Sequence, residues 1–185
     1  MRRLILATAM LFLLCVSVAL GAQQTTIHPT MHRSARRAGA LRYLEGQLQR
    51  YEQETWYWER LTGSRLTGTA GRTLSVMAVS DVEHTVSVWQ RRALKAHRRA
   101  QHPPHMRQWM CIHRYEGAWN DVGGPYWGGL QMDLTFQEHY GGWIFHKKGT
   151  ADHWTPLEQI WTAEKALKSR GFWPWPNTAR MCGLI

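Results

Sequence analysis

Acids, cysteines and metal-binding patterns are all scarce in this chain. Thirteen Asp and Glu stand against 23 Lys and Arg, a formal net charge of +10. A balance so basic implies an anionic partner or surface. Nucleic acid is a poor fit for that partner, because no nucleic-acid-binding fold motif occurs. There are ten histidines but no HExxH, no Cys–His metal-binding pattern and no i, i+4 pair within a predicted helix, so the sequence points to neither a metal site nor a cofactor. Cysteines number three, and Cys15 lies inside the apolar run Leu4–Leu20 that follows Met1-Arg2-Arg3.

A basic start, an apolar stretch and the small residues that follow read as a secretory signal peptide over residues 1–21. The same run is near the lower length of a spanning helix, so an uncleaved anchor stays open, and with it membrane contact. Removal of the signal leaves Cys111 and Cys182 in a compartment that permits disulfides. An even pair there is most simply a bridge, with two free thiols as the alternative. The mature chain stays basic, since only two of the 23 cations lie in the signal. Export and positive charge together suggest attraction to an anionic cell-wall surface.

Residues 22–37 are polar and without periodicity, and read as a flexible linker. Leu41, Leu44, Leu48, Tyr51, Thr55 and Trp58 then recur at spacings of three and four, as do Val79, Val82, Val86, Trp89, Ala93 and Ala96. Those stripes predict two helices, the second begun by a Ser80–Glu83 capping box and stopped by Pro103-Pro104. Over residues 38–102 they are expected to form an antiparallel helical hairpin, structural or wall-binding in role. Neither helix shows a broad exposed apolar face, which argues against a membrane-active protein.

Residues 103–185 hold most of the tryptophans. A helix is expected from Pro104 to Glu116, then a turn or small hairpin over Gly123–Gly129. Asp133 is placed to cap a helix ending at Gly141-Gly142. Thr155-Pro156-Leu157-Glu158 gives a complete start for another, closed by Gly171. Trp109, Trp161 and Trp175 read as core.

Glu116 is the candidate for chemistry. Tyr115 and Trp119 flank it, and Trp109 and Ile112 lie on its helical face. Burial against rings disfavours an ionised carboxyl, which can then give its proton to a leaving glycosidic oxygen. A solvated helix-end Glu fits the local pattern too.

The stretch Cys111-Ile112-His113-Arg114-Tyr115-Glu116-Gly117-Ala118-Trp119-Asn120, followed by Tyr126-Trp127-Gly128-Gly129-Leu130-Gln131-Met132, resembles the transglycosylase-like domain of resuscitation-promoting factors. The aromatic, proline-bearing end Gly171-Phe172-Trp173-Pro174-Trp175-Pro176, with Cys182 after it, is similar to that family's close. The likeness covers roughly Arg107 to Gly183. It implies a mainly α, lysozyme-like domain with Glu116 as its single catalytic acid and a sugar groove walled by the glycine-rich hairpin. Peptidoglycan glycan strands are the implied partner, cleaved between N-acetylmuramic acid and N-acetylglucosamine outside the cell. Gln131 matches the family's sugar-binding glutamine and Tyr126 an aromatic at the groove edge. Trp127 and Gly129 belong to the same wall.

Asp133 departs from the family pattern. It is a second carboxylate of the kind hydrolysis requires, or a helix cap; Asp121 reads as a turn residue. Without a clear second acid the sequence favours lytic transglycosylation, with a hydrolase using Asp121 or Asp133 still open. A catalytically inactive glycan-binding or structural module is the alternative from another class.

Overall fold

A computed structural model describes residues 29–69, 71 and 73–185; the signal-peptide and anchor readings lie outside them. The fold is mainly α, with one two-stranded sheet and one disulfide. Helix α1 spans Pro29–Leu61 and α2 spans Val79–Ala100. α3 (Met106–Glu116) leads to the strands β1 (Tyr126–Trp127) and β2 (Met132–Asp133). The short α4 (Leu134–Phe136) passes into a π-turn over Gln137–Gly141, then α5 (Trp143–Lys148). Helix α6 (Pro156–Arg170) and the short α7 (Pro176–Met181) complete the chain.

Three expectations need correction. Residues 29–37 are not a linker but the first turns of α1. Residues 31–38 are all exposed, so no buried face imposes the apolar period that would have marked them as helix. The Ser80–Glu83 capping box does not form: α2 begins two residues earlier than that box would start it, and Ala78 holds the cap position without a side-chain bond.

The third correction is larger. Helices α1 and α2 run parallel, not as an antiparallel hairpin. Arg37 reaches the carbonyls of Ser75 and Met77, Trp56 meets Trp89 edge-on at 5.9 Å, and Trp58 lies 4.7 Å from the His97 ring. Low numbers of one helix therefore meet low numbers of the other. The chain leaving α1 travels back along it, held where Trp56 Nε1 donates to the Thr67 carbonyl and where the Thr67 N–H and hydroxyl donate to Glu59. Roughly 17 residues separate the helices, enough to cover about 50 Å when extended. That exceeds the roughly 36 Å of α1 beyond Arg37. A short loop would have forced the antiparallel arrangement.

The C-terminal ends of α1 and α2 enter the core of the region that follows. Leu61 is fully buried in one apolar cluster with Trp109, Ile112, Ile160 and Trp175. Trp161 Nε1 donates to the Ala100 carbonyl at 2.8 Å. Trp109, Trp161 and Trp175 are all buried, as core residues should be.

The Thr155–Glu158 capping box forms at the start of α6, and Glu158 is fully buried. Its carboxylate also accepts from Tyr57 Oη and Lys148 Nζ, at 2.7 and 2.8 Å, and so joins α1, α5 and α6. Burial pushes its proton affinity up, but the hydrogen bonds from Lys148, Tyr57 and the Thr155 N–H outweigh that and hold the carboxyl below its ordinary value. A depressed folded value means that the unfolded chain takes up the proton first. The contribution to stability is therefore complete above about pH 5 and is lost as the pH falls through the folded value. Urea unfolding at steps from pH 7 to pH 3 should show this loss in the native protein. Glu158→Gln should be less stable at pH 7 and flatter across that window.

Candidate functional site

Glu116 is the last residue of α3, half-buried, and its Oε1 accepts from the Thr178 hydroxyl at 2.7 Å. Thr178 is buried on α7. The Cys111–Cys182 bridge ties the end of α7 to α3, the helix that carries Glu116. Trp175, just before α7, packs edge-on against Trp109 at 5.0 Å and donates its indole N–H to the Leu130 carbonyl at 2.6 Å. The end of α3, the start of α7 and the glycine-rich turn are thus fastened to one another, and Glu116 stands where they meet.

Gly117 follows. A Cβ there would lie 3.0 Å from Asp121 Oδ2 and 3.3 Å from Gln131 Nε2, so the glycine lets both polar groups close on the backbone beside Glu116. Gln131 adopts a positive φ of 47° and directs its amide N–H₂ to Asp121 Oδ2 and the Gly128 carbonyl, each at 2.9 Å. Its Oε1 has no protein partner among the described residues. Asp121 is half-buried; it also accepts from the Gly123 N–H at 3.0 Å, the short-range bond expected of a turn aspartate.

β1 and β2 form a small hairpin, pairing Tyr126 with Asp133 and Trp127 with Met132, which extends further along the chain than the Gly123–Gly129 segment expected to hold a turn or hairpin. Tyr126 is exposed and Trp127 half-buried, its ring packed over Gly124. Asp133 caps α4 by accepting from the Phe136 N–H at 2.7 Å. Gly129 is buried, and its carbonyl accepts from His113 Nδ1 at 3.1 Å, which requires the proton on that nitrogen. His113 in turn stacks on Trp119 with ring centroids 3.8 Å apart. A Cβ at Gly129 would fall 2.6 Å from His113 Nδ1 and 2.7 Å from Trp119 Cε3. Gly129→Ala should therefore destabilise the fold by about 2 kcal/mol, seen as a lower urea midpoint with an unchanged slope.

Of the residues singled out in the sequence, Glu116 and Gln131 come together across Gly117, with Asp121 between. Tyr126 and Trp127 lie on the strand that enters the same turn, and Gly129 serves its packing. Sequence reasoning missed Thr178, which lies 62 positions from Glu116 with no local signal to join them. It also missed Gln159, whose buried amide donates to the carbonyls of Trp119 and Ala151 and braces the turn from behind. Gly128, at φ 74°, gives it room: a Cβ there would lie 2.5 Å from Gln159 Oε1.

A cleft of about 480 Å³ opens elsewhere, between α1, α2 and Lys147. Its one carboxylate, Glu54, is paired with Arg50 at 3.0 Å, so chemistry is better sought at Glu116. Among the described residues no cluster of His, Cys, Asp and Glu could hold a metal ion, and no helix is long and apolar enough to cross a membrane. Comparison with protein-family models, curated proteins and solved structures gives no match for the chain.

Proposed function

We propose that the chain is an exported muralytic enzyme with a lysozyme-like C-terminal region, cleaving the β-1,4 bond between N-acetylmuramic acid and N-acetylglucosamine. The observation that carries this reading is the setting of Glu116: one carboxyl at a helix end, fixed by the Thr178 hydroxyl, beside a turn that presents a glutamine amide. The resemblance to the resuscitation-promoting factor domain includes Glu116 and Gln131.

Glu116 gives its proton to the glycosidic oxygen as the bond from that oxygen to C1 breaks. The two nearby acids are already engaged: Asp133 by the Phe136 N–H, and Asp121 by Gln131 and the Gly123 N–H. Each already has a local structural role, as helix cap and as turn residue, which favours a route that needs no second carboxylate. The sugar's own 6-hydroxyl then attacks C1 and passes its proton to the Glu116 carboxylate. A 1,6-anhydro ring closes, the acid is restored and no water is consumed. The free Oε1 of Gln131 suits the N–H of an N-acetyl group, and the exposed Tyr126 ring offers an apolar face with a polar tip. No cofactor enters the reaction.

Digestion of purified peptidoglycan by the protein tests this. Release of muropeptides with 1,6-anhydro ends is expected. Reducing ends would indicate hydrolysis through Asp121 or Asp133 instead. Glycan capture without release would make the chain a wall-binding module.

A further inference from the structure

A line of cations crosses the seam where the parallel helices meet α6. It runs through two clefts that share Thr62 and Arg99. The first, of about 440 Å³, carries Arg65, Arg92, Lys95 and Arg99; the second, of about 230 Å³, adds Lys165 and Lys168. Two carboxylates line these clefts and both face other groups. Glu59 accepts from the Thr67 N–H and hydroxyl, and Glu164 from the His105 N–H and the Trp109 indole. None of the six cations is ion-paired among the described residues. The hydroxyls of Thr62 and Ser64, bonded to each other at 2.7 Å, also line the first cleft.

We infer that this double cleft is a binding groove for a linear phosphate polyanion, which lies along α2 and crosses to α6 at Arg99. Six cations against two carboxylates on concave walls raise the local concentration of anions more than the same charges scattered on a convex face. Three are arginines, whose planar forks match phosphate oxygens in pairs, while the lysines act as point charges. Arg92 and Arg99 are separated by about 10 Å along the helix, and the second cleft continues beyond them. A single small anion would leave half of such a groove empty, whereas a chain of phosphates fills both parts. Burial, and then the neighbouring Lys168, hold the Lys165 ammonium below the ordinary lysine value. The groove shares no residue with the Glu116 site, so the inference stands independently of the muralytic reading.

The test is fluorescence anisotropy of labelled linear polyphosphate titrated with the protein. Binding is expected, with log K falling linearly against log salt at a slope of about −3 to −4, as for some five neutralised phosphates. Arg99→Gln/Lys168→Gln, both exposed positions, should weaken binding at least about tenfold. Arg33→Gln/Arg36→Gln removes the same charge from the exposed start of α1 and should change affinity by less than about twofold. Circular dichroism should show both variants folded, and Glu116→Gln should bind as the native protein does. Equal losses in the two double variants would overturn the groove in favour of net charge alone. Equal affinity for polyglutamate, or binding to anionic lipid vesicles without binding to polyphosphate, would overturn the phosphate-chain assignment.

Discussion

Glu116→Gln is expected to lower muropeptide release by at least about a hundredfold, the contribution of a positioned general acid, while leaving the thermal midpoint within about 3 °C of the native value. The amide keeps the shape of the carboxyl and an oxygen that can accept from Thr178, so the junction of α3 and α7 survives. What it loses is the proton for the leaving oxygen and, afterwards, the base for the 6-hydroxyl. Affinity for glycan should change little, because the Gln131 amide and the Tyr126 ring are untouched. That combination separates catalysis from folding and from binding. Thr178→Val is its companion: it removes the hydroxyl that fixes Glu116 Oε1 without touching the acid itself. It should lower the rate less than Glu116→Gln does.

The second large effect is expected from Cys111→Ser/Cys182→Ser. The bridge joins positions 71 apart, and a loop of that length contributes about 4 kcal/mol in the chain-entropy account. The thermal midpoint should fall by roughly 10 °C, with denaturant unfolding giving the free energy directly. Activity should fall too, even where the protein remains folded. Without the bridge α7 is held by noncovalent ties alone, among them Trp175 on Leu130, Thr178 on Glu116 and the buried Ala179, and the acid loses part of its fixed position.

The features legible in the sequence were those written in short-range chemistry. Thr155 and Glu158 declare the start of α6 because both halves of a capping box lie within four residues. Asp133 declares α4 for the same kind of reason. The cysteine pair was legible by parity once residues 1–21, read as a leader, were set aside. The closeness of Gln131 to Glu116 was expected only through the resemblance, from the order of Gly117, Tyr126-Trp127 and Gln131.

The direction of α2 relative to α1 was not legible. An apolar stripe of period 3.6 looks the same whichever way its helix runs, and the deciding contacts, Arg37 to Met77 and Trp56 to Thr67, join residues with no shared local pattern. The start of α1 was hidden for a different reason: a helix exposed on all sides carries no stripe. Thr178 and Gln159 were invisible because their roles depend on partners 62 and 40 positions away. The cationic groove was equally hidden. The sequence shows abundant Lys and Arg, but only the folded chain sets Arg65, Arg92 and Arg99 against Lys165 and Lys168.

The most direct test of the central claim is mass spectrometry of the muropeptides released from purified peptidoglycan by the native protein and by Glu116→Gln side by side. Release of 1,6-anhydro products by the native protein, and essentially none by the folded variant, is the predicted result. Equal release by both proteins, or none by either while both sediment with the glycan, would contradict the assignment of Glu116 as the catalytic acid.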